Sequence, residues 1–297
     1  DSGGNIAFYH GNFVPVRDTS YDYTLPVDGS NPATDWQGLH EVDEIVTLLN
    51  PASGWIQNCN STPFTAAGEF SPNPEDYPIY MAPDMENFRG IHAVNLLREM
   101  NKITLDDLIK MAHDPHLPAF EALIPGLIKA YNESDIKNQK FEAAINVLNK
   151  WNYKTASDSI AMTIAHFYGL NYLADGENPQ SLKGINLINY FGSDSSNNEK
   201  LQIFSKTISN LEEDFGGWNI PWGEVNRMQR ITGDIMQPHD DDAPSIPIGM
   251  ASGRWGALAA FGAKRYPDTK RIYGYRGNSF VAVVEFGDKV KAKSFLA

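Results

Sequence analysis

The chain has 297 residues, 42% hydrophobic and 11% aromatic, enough apolar material to bury a large core in one big domain or two smaller ones. Its 37 acidic residues against 24 basic ones give a formal net charge of -13, which opposes phosphate backbones and anionic membrane surfaces. No nucleic acid and no membrane are expected as partners, and no apolar run approaches the ~20 residues that span a bilayer as a helix.

Asp1 opens the sequence without a Met, inside a turn-and-strand pattern, and the segment from Lys291 to Ala297 is strand-like. Both ends are expected to be interruptions in a longer chain. From Asn5 to Asn60, short β-rich runs (Ile6 to Tyr9, Ile45 to Leu48, Trp55 to Gln57) alternate with Gly, Pro, Asn and Asp, which predicts strands and long loops. The Pro- and Gly-rich stretch from Ser61 to Tyr80 predicts a surface loop of the kind that often borders an active site.

Helices are expected next. Thr104 and Asp107 resemble a capping pair ahead of Leu105, Leu108, Ile109 and Ala112, which recur at helical spacing. Phe120, Leu123, Ile124, Leu127 and Ile128 mark a second helix, with a kink expected at Pro125. Phe141, Ala144, Ile145 and Leu148 mark a third, and Ile160, Ile164 and Phe167 a fourth. Residues 176–198, rich in Gly, Asn and Ser, are expected to be irregular, and a further helix is expected from Lys200 to Phe215.

After Trp222, small residues gather around Gly249, Gly253, Gly256 and Gly262. Strand runs follow from Arg271 to Tyr275 and from Phe280 to Phe286, the latter expected to be buried on both faces because it is continuously β-branched and aromatic. The order predicts an α+β chain: a strand-rich part over 1–90, a mainly helical part over 91–220 and a Gly-rich part over 221–297 that returns to core strands. The two ends are expected to share a sheet, with the helices as an insertion.

The common hydrolase signatures are missing: there is no Gly-x-Ser-x-Gly elbow, His-Glu-x-x-His, P-loop or Gly-x-Gly-x-x-Gly. Asn58 and Asn60, at the exit of a strand-like run before Pro63, could turn an amide NH2 into a cleft and stabilise charge on an oxygen; ordinary turn chemistry is the competing reading. The single cysteine, Cys59, excludes an internal disulfide and is expected to face away from both asparagines as a small core filler, with no basic neighbour in sequence to activate it. His239-Asp240-Asp241-Asp242 is read as a solvated acidic loop ahead of a metal site, and His113 and His116 are not read as ligands.

A series of short motifs is more specific. Asp1-Ser2-Gly3-Gly4-Asn5-Ile6-Ala7-Phe8-Tyr9-His10-Gly11, Pro15-Val16-Arg17, Leu25-Pro26-Val27, Asp35-Trp36-Gln37-Gly38 and Asn50-Pro51-Ala52-Ser53-Gly54 lead in order into Asn58-Cys59-Asn60. This series resembles the second chain of the penicillin acylase family, amidases that include acyl-homoserine-lactone acylases. The resemblance continues thinly through Leu117 to Pro125 and ends at Gly277 to Phe286.

The resemblance implies the αββα N-terminal-nucleophile hydrolase fold and hydrolysis of a linear amide through an acyl-enzyme. The family's nucleophile, normally a Ser exposed by autoproteolytic processing, uses its own α-amine as base. Position 1 here is Asp, and Ser2 does not match the nucleophile, so that residue is expected to be absent from this chain. Asn60 matches the family's oxyanion Asn, and Asn58 is expected to hold the turn. Arg89, in Asn87-Phe88-Arg89-Gly90, fits the family's active-site Arg, either orienting Asn60 or keeping the nucleophilic amine neutral; a surface ion pair with Asp84 or Glu86 is the alternative.

No cofactor is required on this reading. Some members bind a structural Ca2+; Asp22 and Tyr23 lie near one contributing position, but Ser71 to Asp76 offers no clear counterpart to the downstream aspartate. The implied partners are the family's first (alpha) chain, the missing amino-terminal part of the same precursor and a small-molecule N-acyl amide, in the periplasm or outside the cell. The alternative class is a non-catalytic acylase-like protein that binds a ligand or partner.

Overall fold

The computed structural model describes residues 1–11, 13–136, 138–179, 181–278 and 280–295. Gln180, in the stretch 176–198 expected to be irregular, Ser279, in the motif from Gly277 to Phe286, and Leu296 and Ala297, at the expected strand-like end, lie outside the described residues. The chain divides into two compact units, one of residues 1–105 with 283–293, the other built on residues 106–282.

Loops and single turns make up most of the first unit. Strand β1 (Ala7–Tyr9) pairs antiparallel with β2 (Thr47–Leu49), Phe8 opposite Leu48. Asn50, at a left-handed φ of 47°, ties the pair from its end: its Oδ1 accepts from Ile6 N at 2.9 Å and its Nδ2 donates to Asn5 Oδ1 at 2.8 Å. Three 3-10 turns start the same way, at Asn31-Pro32, Thr62-Pro63 and Asn73-Pro74. In each, a polar side chain accepts from the amide two residues on, and the proline fills the first turn position, where its missing N–H costs nothing. A small core of Ile45, Val46, Met81 and Ala82 packs with Val14, Phe64, Tyr77 and Tyr80. Helix α1 (Phe88–Glu99) buries Phe88, Ala93, Val94 and Leu97.

Trp55 to Gln57, expected as a strand, is extended chain and not a strand; Gln57 N donates to Ala66 O at 2.8 Å. The run is too short to propagate a ladder, sitting between Gly54 at φ 73° and the left-handed Asn60 at φ 55°.

Helices dominate the second unit. After α2 (Leu105–Ala112) come α3 (Pro118–Asn132), α4 (Gln139–Asn149), α5 (Ile160–Asp175), α6 (Gly184–Ser193) and α7 (Asn197–Phe215). Asn138, Ser159 and Ser196 cap α4, α5 and α7 with side-chain oxygens, and Gly216, left-handed at φ 76°, closes α7. Helix α3 runs through Pro125, which lies on its exposed face, where water can meet the carbonyl its ring leaves unbonded. Helix α6 corrects the expectation of irregular chain over 176–198: Leu187, Ile188 and Phe191 recur at helical spacing and are buried, a pattern masked by the surrounding Gly, Asn and Ser.

Strands β3 (Asn226–Met228), β4 (Ile246–Pro247), β5 (Phe261–Lys264) and β6 (Ile272–Gly277) form one sheet in the order β4-β3-β6-β5, with β3 and β6 parallel and the other pairs antiparallel. Strands β7 (Val281–Glu285) and β8 (Lys291–Phe295) form a separate two-stranded sheet. The expected sheet shared by the two ends is therefore not found: among the described residues the early strands pair with each other and the late ones in their own sheets. Nor is β7 buried on both faces. Only Val283 is buried, because one paired neighbour cannot cover the apolar run that composition supplies. The chain is α+β, with its helices between the early and late strands.

Two packing features hold the second unit. Helices α3 and α6 meet backbone to backbone at Gly126 and Gly192: a Cβ on Gly126 would overlap the Gly192 carbonyl oxygen, and one on Gly192 the Ala122 carbonyl oxygen. Below them lies an aromatic core in which the Phe120 and Trp255 ring centroids are 4.8 Å apart and the His166 and Trp222 rings 4.7 Å apart. Trp255 Nε1 donates to His166 Nδ1 at 3.1 Å; because indole can only donate, His166 carries its proton on Nε2. Burial, aided by the Arg254 charge, pushes the His166 pKa down to about 3.

Two outcomes are expected. The unfolded chain protonates His166 near pH 6.5 and the folded chain only near 3, so stability is full above about pH 6.5 and falls between those values, by up to ~1.4 kcal/mol per pH unit. Urea midpoints from tryptophan fluorescence at pH 7, 6, 5 and 4 measure that slope, which should be shallower in His166→Gln. Gly192→Ala should destabilise by about 1–3 kcal/mol or more, since backbone must move to admit the methyl group, whereas Gly287→Ala, with open space around it, should be near neutral in the same assay.

Candidate active site

The turn from Asn58 to Asn60 lies in the first unit, as does the start of α1, and side chains join the two. Asn58 Oδ1 accepts from Asn60 N at 2.8 Å, closing an Asx turn, the role expected for Asn58. Asn60 takes φ 55°, a left-handed conformation that Asn tolerates better than most residues with a side chain.

At the helix end, Asn87 is the N-cap. Its Oδ1 accepts from Arg89 N at 3.0 Å and Gly90 N at 3.1 Å, while its Nδ2 donates to Cys59 O at 3.1 Å and Asn60 O at 3.0 Å. Arg89 then reaches back across the turn: its Nη2 donates to Cys59 O at 2.6 Å and to Asn60 Oδ1 at 2.8 Å. The two residues singled out by sequence, Asn60 and Arg89, are thus in direct contact.

This contact is the one the orienting reading of Arg89 requires, with Nη2 donating to the turn. Glu86 is occupied elsewhere: Thr65 Oγ1 donates to its Oε2, and Asn87 N donates to its Oε1 at 2.7 Å. Asp84 stands 4.0 Å from His10 Nε2. Gly90 makes room for this arrangement, since a Cβ there would overlap Glu86 Oε1 and lie 2.8 Å from Ser61 Oγ.

With Asn60 Oδ1 engaged by Arg89, the amide orientation is fixed, because only one of its two planar flips presents oxygen to a cation. The NH2 group is turned the other way, and among the described residues nothing accepts from Nδ2. Asn60 is exposed, so that donor faces solvent, available to an oxygen of another molecule. Close by in sequence, Gln57 is 8% and Ser61 7% exposed, and the side-chain oxygen and nitrogen of Gln57 and the hydroxyl of Ser61 have no hydrogen-bond partner among the described residues. Buried polar atoms rarely stay unpaired, so this stretch retains unused hydrogen-bonding capacity.

Cys59 is half-buried between the asparagines. Burial raises its thiol pKa, the Arg89 charge opposes that and Glu86 adds to it, leaving a neutral, weakly nucleophilic group. Asn87 is the residue that sequence reasoning missed. Its signal was available as an Asn directly before an apolar run with helical spacing, the ordinary mark of an N-cap.

The other candidates lie apart. In the second unit Asp240 and Asp242 are exposed, as expected of a solvated acidic loop, but Asp241 accepts from Lys270 N at 2.6 Å and from Tyr273 Oη at 2.9 Å, and the His239 ring lies 3.9 Å from that of Tyr266, so these two latch the approach to β6. His113 Nδ1 lies 3.0 Å from Ile109 O, and His116 Nε2 lies 3.3 Å from Glu121. In the first unit Asp22 accepts from the hydroxyl and amide of Thr24, which lower its pKa, and Tyr23 lies under the Arg17 guanidinium at 4.6 Å. Among the described residues no three His, Cys, Asp or Glu gather as a metal site.

The sequence model of the family described as penicillin amidase matches residues 1–297. Over 165 residues the chain is 29% identical to penicillin G acylase of Escherichia coli, an alignment that covers 50% of this chain and 18% of that relative. The aligned part of the chain therefore spans under a fifth of the relative's length.

Proposed function

Since the chain belongs to the penicillin amidase family, we propose that it forms part of an amidohydrolase that cleaves linear N-acyl amides through an acyl-enzyme. The observation that carries this reading is the Asn60 amide, its oxygen held 2.8 Å from Arg89 Nη2 and its NH2 presented to solvent. A pre-aimed neutral donor suits acyl transfer, in which a planar carbonyl becomes a tetrahedral centre and negative charge builds on its oxygen.

The steps assign roles as follows. A hydroxyl nucleophile, in this family the N-terminal Ser and absent from this chain, attacks the amide carbon and gives its proton to its own α-amine. Asn60 Nδ2 donates to the developing oxyanion. The C–N bond then breaks, the amine leaves with the proton, and water repeats the sequence to release the acid. Arg89 acts through Asn60 by fixing which way its amide faces, and its permanent charge favours the neutral form of a nearby amine.

The rest of the catalytic apparatus, on this proposal, comes from the first chain and the amino-terminal part of the same precursor, processed by autoproteolysis and exported to the periplasm or beyond. No cofactor enters the chemistry.

Three results are expected. The isolated 297-residue chain should not hydrolyse phenylacetyl or fatty-acyl amides, whereas the full-length protein should. In that full-length protein Asn60→Ala should lower kcat by about 10²–10³ with little change in KM. Full-length protein that binds such amides without turnover would instead be an acylase-like binding protein, and kcat untouched by Asn60→Ala would remove the residue from the oxyanion site.

A further inference from the structure

Between the turn that carries Asn60 and the helix that carries Arg89, one side chain makes every link its chemistry allows. Asn87 has two donor hydrogens and two acceptor lone pairs. The donors go to the carbonyls of Cys59 and Asn60, and the acceptor takes the amides of Arg89 and Gly90. One half of the side chain grips the turn, and the other starts the helix.

Around Asn60 the consequence is a grip on three sides. Its N–H is held by Asn58, its carbonyl by Asn87 and its side-chain oxygen by Arg89. The carbonyl of Cys59 receives both Asn87 Nδ2 and Arg89 Nη2, so Asn87 also fixes the acceptor on which the guanidinium rests. Without the Asn87 NH2, the peptide between residues 59 and 60 could rotate away from the helix. Arg89 would lose its carbonyl anchor, and the Asn60 amide its aim.

We infer that Asn87 is a positioning residue for the Asn60–Arg89 pair, setting the direction of the Asn60 NH2 without touching substrate. The catalytic consequence rests on the amidase reading given above; the clamp itself rests on the four hydrogen bonds. Capping and clamping are separable by chemistry. Asp at position 87 is as good an N-cap as Asn but cannot donate, and it sets an anion against two carbonyl oxygens.

The test uses the full-length protein with Asn87→Asp, Asn87→Ala, Asn60→Ala and the double variant Asn60→Ala with Asn87→Asp. Asn87→Asp should melt close to the wild type yet lose about 10- to 100-fold in kcat with KM little changed, since a misplaced catalytic group costs that much. Asn87→Ala should lose both kcat and thermal stability. The double variant should be no slower than Asn60→Ala alone, because Asn87 acts through Asn60. Independent of turnover, peptides covering residues 58–62 should exchange amide hydrogens about tenfold faster in Asn87→Asp, as an opened clamp requires. Wild-type exchange in that variant, wild-type kcat, or losses that multiply in the double variant would overturn the inference. A wild-type protein that turns over no amide but shows the faster exchange in Asn87→Asp would retire the amidase reading and leave the clamp standing.

Discussion

A single guanidinium nitrogen, Nη2 of Arg89, decides which way the amide of Asn60 faces. A carboxamide has two nearly isosteric orientations, and a neighbour that donates without accepting selects the one that turns the oxygen toward it. Arg meets that requirement, since its guanidinium carries donors and no acceptor. The exposed donor it leaves is set before any ligand arrives. Preorganisation of this kind matters because a donor that must turn at the moment of reaction has already lost part of its advantage.

Much of the architecture was legible in the sequence where periodicity was strong. The helices over Phe120 to Ile128, Phe141 to Leu148, Ile160 to Phe167 and Lys200 to Phe215 were readable from apolar residues at three- and four-residue spacing, and all are present. The helix at Gly184–Ser193 was obscured because it is short and its flanks carry turn-forming residues. Strands were less readable. Trp55 to Gln57 and Phe280 to Phe286 have the composition of strands, but pairing and burial depend on what lies alongside, which a local run of sequence does not contain.

The candidate site was partly legible for a different reason. Ordered motifs and a family resemblance pointed to Asn60 and Arg89, 29 positions apart in sequence, and the structure puts them in hydrogen-bond contact. Nothing in residue type or spacing predicts that contact; it depends on the cap at Asn87 bringing a helix start against a turn. The second unit illustrates the same limit, since the close approach at Gly126 and Gly192 is invisible until both helices are in place.

The left-handed backbone of Asn60 places two unrelated demands on one position. Glycine would satisfy the dihedral angle but has no amide, and glutamine has the amide on a longer stem with less tolerance for positive φ. Aspartate keeps the shape but accepts where Asn60 donates. Few residue types meet both demands, so a lineage that keeps this turn has little room to leave asparagine there. A column of invariant asparagine at this position would thus be read as a signature of chemistry, although part of the invariance would belong to the backbone.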